Sequence, residues 1–156
     1  MKILVPLDFS KSAELIVNYS VDLAIKLNAQ LTFYHVIDER SFFTYNTVYT
    51  FPEYYPEIRA DEETQQQFRE SAKNEFNKFI ESFNIKNISY DVKIDMGIPY
   101  SRICEFATDN KFDLVIIGSH GKTNLKDIFL GSVVDYISHH IEIPVLIYKI
   151  DISRRK

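Results

Sequence analysis

Three of the chain's four glycines fall in one short segment that runs from Gly118-Ser119-His120-Gly121 to Leu130-Gly131-Ser132. Average proteins carry about 7% glycine. In a chain with so few, such clustering marks a place where the backbone itself must come close to something. Gly118 directly follows an apolar run and can turn the chain, or admit a ligand, with no Cβ in the way. Gly121 offers the same freedom a little later. Gly131-Ser132 precedes a helical pattern, where unpaired amides and the positive end of the helix dipole favour an anion, and Ser132 adds a hydroxyl. The chemistry such a segment suits is the cradling of a polyphosphate.

Two familiar phosphate loops do not fit these residues. Gly121-Lys122-Thr123 imitates the end of a Walker A motif, but that motif needs a further glycine where this chain has Ile116. The dinucleotide fingerprint of spaced glycines should follow the first strand, and Pro6-Leu7-Asp8 stands there instead.

Other chemically capable residues are weighed by position. Asp8 can stabilise the start of a helix or meet a ligand beside the glycine segment. Lys122 and Lys126 can neutralise phosphates, and His120 can touch a terminal phosphate or act as a base, although each is also an ordinary solvated loop residue. His139-His140 points to two faces of one helix and has no third ligand at metal spacing, so no metal site is expected there. Cys104, the chain's one cysteine, has apolar neighbours and reads as a packed residue.

The elements that must position these residues follow from periodicity. Met1 to Leu7 reads as a buried strand around Ile3-Leu4-Val5. Ser10 is expected to cap a helix whose inward face is Ala13, Ile16, Val17, Ser20, Ala24 and Leu27, with Glu14 in its first turn and Asn28 at its end. Leu31 to Ile37 is a second strand. A helix from Glu62 to Phe83 should turn Phe68, Ala72, Phe76, Phe79 and Ile80 to one side. Ile88 to Ile94 alternates as a half-covered strand. Gly97-Ile98-Pro99 is read as a turn into a helix with Ile103, Phe106 and Ala107 inward. Asp113 to Ile117 is the fourth strand. A last helix from about Gly131 to His140 leads to a strand at Val145 to Tyr148. Strand–helix alternation of this kind predicts an α/β fold, a three-layer, open, mostly parallel, Rossmann-like five-stranded sheet with helices on both faces. Ligands in such sheets bind outside the carboxyl ends of the strands, where strand order reverses.

Composition narrows the classes further. With 156 residues, a net charge of −4 and a pI near 5.6, the chain reads as one domain over residues 1–150 with a tail at 151–156. The acidic balance argues against nucleic acid as a partner, because a global basic field is missing. No apolar run approaches the ~20 residues of a membrane span, so no membrane partner is expected. A single cysteine and no signal-like start suit the cytoplasm.

Four further segments join the glycine pattern of Gly, two residues, Gly, nine residues, Gly and Ser. They are Pro6-Leu7-Asp8-Phe9-Ser10, His35-Val36-Ile37-Asp38, Gly97 before Pro99, and Pro144-Val145-Leu146. On these residues the sequence resembles the universal stress protein family, in the subclass that binds ATP. The resemblance spans the chain except residues near 40–60. It implies a sheet order of 3-2-1-4-5 with ATP across the gap between strands one and four. Pro6, Leu7 and Asp8 would lie at the ribose or nucleotide edge, Val36 would offer backbone groups to the adenine, and Ile117 would line the pocket. Gly118, Gly121, Gly131, Ser132 and Val133 would surround the phosphates. Leu7 departs from the Thr or Val common in the family, which removes a hydroxyl but not a main-chain contact. Magnesium would accompany the phosphates, held mainly by them and by water. The last strand would pair with its twofold mate in a homodimer.

The function this implies is a nucleotide-dependent regulatory protein of the stress response, with an unidentified protein partner. A slow ATPase or nucleotidyl-transfer enzyme of a related fold, or an interaction module without nucleotide, are the alternatives. No His-x-x-His, His-x-Gly-His or Ser-Gly-Gly signature is present, so the chain is expected not to be an enzyme beyond slow hydrolysis. One segment stands apart. Phe42 to Tyr55 carries seven aromatic residues and one charge, Glu53. A connection that long is expected to be a cover for its own domain or a nucleotide-sensing lid.

Overall fold

The computed structural model describes residues 1–10, 12–40, 62–83, 85–119 and 130–149. Among these, five strands and four helices alternate: β1 (Lys2–Pro6), α1 (Ala13–Leu27), β2 (Gln30–Asp38), α2 (Glu62–Glu81), β3 (Tyr90–Gly97), α3 (Pro99–Asp109), β4 (Leu114–Gly118), α4 (Ser132–His140) and β5 (Val145–Tyr148). The sheet is fully parallel in the order β3-β2-β1-β4-β5. The aromatic segment at Phe42 to Tyr55 and the tail at 151–156 lie outside the described residues.

Period-two alternation divides the core between the two faces of the sheet. Ile3, Val5, Leu31, Phe33 and Ile116 meet α1 and α2 on one side, where Val17, Phe76 and Ile80 are buried against them. Leu4, Tyr34, Val115 and Ile117 meet α3 and α4 on the other, through Ile103, Ala107, Val134 and Ile137. Because both faces are covered, the central strands are continuous apolar runs.

Where the sheet opens is decided by β1. Its residues pair with β2 as far as Pro6↔Tyr34, and the Leu7 N–H donates to the Tyr34 carbonyl at 2.8 Å. Its pairing with β4 covers only Ile3↔Leu114 and Leu4↔Val115. Backbone groups alternate sides along a strand, so with Leu7 turned to β2, Pro6 turns its missing N–H towards β4. From there β4 continues with β5 alone, to Gly118↔Tyr148. A crevice results between the carboxyl ends of β1 and β4.

Several local expectations need correction. Helix α1 starts after Ser12, not Ser10, because the Asp8 carboxylate accepts the Ser10 N–H at 3.1 Å and the Ser10 hydroxyl bonds that of Ser12 at 2.8 Å. Leu27 sits in the last turn, before Asn28 reverses the chain in a left-handed conformation, and is 44% exposed. Phe68 is 47% exposed, not inward. Strand β3 starts at Tyr90 and runs through Gly97, so Gly97 ends a strand and does not form a turn. It must be glycine. Its φ is +148°, and a Cβ there would lie 2.8 Å from Arg102 Cγ, whose stem crosses it.

That crossing delivers the Arg102 guanidinium to Asp95, which it clamps through Nη2 and Nε, while Nη1 reaches Glu105 at 2.7 Å. The buried Tyr34 ring stacks on Phe106 at 4.4 Å and donates its hydroxyl to Asp95 at 3.3 Å. Burial alone would raise the Asp95 carboxyl, but the bonds from Arg102, the Met96 N–H and Tyr34 outweigh it and hold the pKa below the ordinary range. A folded pKa below the unfolded one contributes stability above about pH 4 that disappears as pH falls through the folded value. Asp95→Asn is therefore expected to cost about 1 kcal/mol at neutral pH, since the pair is partly exposed. Thermal melts from neutral to acid pH check this: the gap between wild type and variant should narrow below about pH 4, and a constant gap would contradict it.

Candidate functional site

The crevice is a cavity of about 660 Å³, within the ~300–1,000 Å³ typical of small-molecule sites. From the β1 end it is lined by Pro6, Leu7 and Asp8, and from β2 by Val36. Ile117 and Gly118 line it from β4, and Gly131, Ser132 and Val133 from the start of α4. The structure thus brings together nine of the ten residues that the resemblance places around a nucleotide. Gly121 lies outside the described residues, as do His120, Lys122 and Lys126.

The two ends of the glycine segment are tied by main-chain bonds. The buried Ser119 donates its N–H to the Tyr148 carbonyl at 2.9 Å and accepts the Gly131 N–H at 3.0 Å on its own carbonyl. Gly131 is the N-cap of α4, and its carbonyl accepts the Asp135 N–H at 2.9 Å. Among the described residues no side chain caps this helix. Its first amides thus have no side-chain acceptor among those residues, and they lie at the positive end of the dipole. The donors an anion needs are backbone groups, on a helix end that opens onto the cavity.

At the other end of the cavity, β2 extends past β1. The Gln30 N–H donates to the Met1 carbonyl and the Tyr34 carbonyl accepts from Leu7, so even-numbered β2 residues turn their backbone towards β1. Val36 is the next of these beyond Tyr34, and its backbone edge therefore faces the crevice. The corner that holds Asp8 is braced by His35. Its Nδ1–H donates to the Leu7 carbonyl at 2.8 Å, and its ring packs against Phe9 at 4.8 Å and Phe76 at 5.4 Å.

Several lining residues had no binding role assigned from sequence: Phe9, His35, Asp38, Arg40, Phe68 and Glu75. The position of His35 to Asp38 at the carboxyl end of the second strand was the available signal for that stretch. Among the described lining residues, Arg40 is the only lysine or arginine. It forks onto Asp38, with Nε to Oδ1 at 2.8 Å and Nη2 to Oδ2 at 2.6 Å. The hydrogen bonds and charge of Arg40 hold the Asp38 carboxyl below its ordinary range against a smaller effect of burial. With that guanidinium engaged on Asp38, the helix amides are the anion donors the described residues offer at the other end of the cavity.

Elsewhere, His139 and His140 donate Nδ1–H to the Asp135 and Tyr136 carbonyls at 2.7 and 2.8 Å. Cys104 is half-buried, and burial together with the Glu105 charge pushes its thiol pKa up, as for a packed residue.

A parallel sheet whose order reverses beside a cleft, with a glycine-opened helix end inside it, defines a doubly wound α/β protein whose cleft lies at the switch point. The model of the universal stress protein family matches residues 1–149, and the chain belongs to that family. It is 33% identical over 156 residues to the universal stress protein MJ0577 of Methanocaldococcus jannaschii, covering 95% of this chain and 94% of that one. The solved structure of MJ0577 superposes with a TM-score of 0.76 at 32% identity, covering 97% of both chains. A family member from Arabidopsis thaliana with AMP bound has a TM-score of 0.59 at 15% identity, over 100% of this chain and 96% of that one. A universal stress protein in complex with cAMP has a TM-score of 0.61 at 20% identity, over 97% and 98%. At those identities the likeness speaks for the fold.

Proposed function

We propose that this universal stress protein binds ATP in the crevice between β1 and β4, and that the bound nucleotide regulates its shape or its choice of protein partner. The observation that carries this reading is the convergence of Asp8, the Val36 backbone edge, Gly118 and the uncapped start of α4 on one cavity. Two family members that share the fold carry AMP and cAMP. The adenine lies against Val36, the ribose by Asp8, and the phosphates against Gly118, Gly131, Ser132 and Val133. Magnesium accompanies the phosphates through their own oxygens and water. The protein acts in the cytoplasm by binding, not by turnover, with slow hydrolysis at most. Residues 1–150 serve as a single nucleotide-binding domain.

Titration calorimetry tests the proposal. ATP should bind in preference to GTP, because a fixed backbone edge at Val36 distinguishes the two base edges. Freshly purified protein should release an adenine nucleotide in native mass spectrometry. Absence of heat with every adenine nucleotide would overturn the reading.

The chain also pairs with a second copy through β5. Val145 to Tyr148 form the end of the sheet and all four are only half-buried, and an apolar strand left at an edge needs cover. Light scattering should return twice the 18.3 kDa chain mass. The monomer mass across micromolar concentrations would contradict it.

A further inference from the structure

The opposite edge of the sheet carries a second, differently built feature. A groove of about 620 Å³ runs between α2 and β3, with Val92 and Ile94 as its floor and Arg69 and Lys73 along its helical side. Lys93 contributes its backbone, since alternation turns its side chain to the face of Tyr34. One carboxylate, Glu70, lies among them, and its Oε1 accepts the Gln66 amide at 3.4 Å. The chain as a whole is acidic at −4, so a locus whose side chains give two cations, Arg69 and Lys73, to one anion runs against its general charge. Among the described residues neither Arg69 nor Lys73 is ion-paired.

The backbone beside this groove has a defined direction. The Leu31 N–H donates to the Ser89 carbonyl and the Glu39 N–H to the Gly97 carbonyl, so odd-numbered β3 residues turn towards β2. Val92 and Ile94 then turn their N–H and C=O groups outward, and no described strand lies beyond them. The next outward amide, Met96, is occupied by its neighbour's carboxylate, Asp95 Oδ1, at 2.8 Å. Among the described residues the unpaired stretch is short and coincides with the groove.

We propose that this edge accepts an extended acidic segment of a partner protein, which adds a strand beside Val92 and Ile94 and places carboxylates at alternate positions against Arg69 and Lys73. The spacing supports it. One helical turn separates Arg69 and Lys73 by ~6 Å along α2, and alternate residues of a strand lie ~6.6 Å apart on one face. Main-chain bonds to Val92 and Ile94 supply affinity, and the two cations select an acid–x–acid pattern.

The experiment uses the full chain and a short labelled peptide that alternates glutamate and valine, read by fluorescence anisotropy. Binding should weaken about tenfold in the double variant Arg69→Glu, Lys73→Glu, and be lost when alternate peptide amides are N-methylated on the strand-pairing side. A peptide with lysine in place of glutamate should not bind. Equal binding of the N-methylated peptide would reduce the contact to bulk charge and overturn the proposal. So would unchanged affinity in the double variant. Self-association that disappears in the same variant would assign the groove to a second copy of this chain and overturn it equally. Nucleotide titration of the double variant should match wild type, which separates this edge from the crevice.

Discussion

Replacing Gly131 with valine is expected to lower ATP affinity about 100-fold, ~2.7 kcal/mol, while the protein still folds. The reason lies in the backbone. Gly131 has φ −60° and ψ 151°, an extended conformation open to any residue, so valine brings no Ramachandran strain. Its N–H can still reach the Ser119 carbonyl and its carbonyl the Asp135 amide. What changes is the space next to the first amides of α4, where two methyl groups now stand in place of hydrogen. Gly118→Val makes the same intrusion from the end of β4. Calorimetry with ATP, paired with thermal melts, separates the effects: affinity should collapse in both variants while the melting temperature moves by only a few degrees. Unchanged affinity in both would remove the phosphates from this end of the crevice.

Much of this site was legible in the sequence because its signals are local. Glycines that cluster between a β-branched run and a helical pattern announce a backbone-lined turn whichever fold contains them. Ser119 was not legible. Its main chain joins Gly131 to β4 and Tyr148, and nothing in residue identity encodes that. The bounds of β3 were missed for a related reason. Ile88 continues the alternation, but pairing starts at Leu31↔Tyr90 and ends at Asp38↔Gly97, so the length of the neighbouring strand decides. Leu27 and Phe68 show the limit of helical periodicity. It gives the direction a side chain takes, not how far the core extends beneath it, and both are left substantially exposed. In α1 the competing hydrogen bonds of Asp8 and Ser12 displaced the cap from Ser10.

Phe76→Ala is expected to destabilise the protein by about 3–5 kcal/mol, a large share of the ~5–15 kcal/mol that holds a domain of this size. Phe76 is fully buried at the centre of an aromatic group, with ring centroids 5.7 Å from Phe9, 5.4 Å from His35 and 6.3 Å from Phe79. Truncation opens a cavity that three rigid rings cannot close and removes edge contacts beyond simple burial. The effect should also reach the site, since Phe9 and His35 line the crevice and His35 holds the Leu7 carbonyl beside Asp8. Phe68→Ala on the same helix is the control. At 47% exposure it should cost under about 1 kcal/mol, yet it lines the cavity and its loss should weaken nucleotide binding. Urea unfolding of both variants orders them: Phe76→Ala should shift the midpoint far more than Phe68→Ala with a similar m-value. A loss at position 76 no greater than at position 68 would mean that α2 does not turn this face to the sheet, and the bracing of the β1 corner by His35 would lose its support.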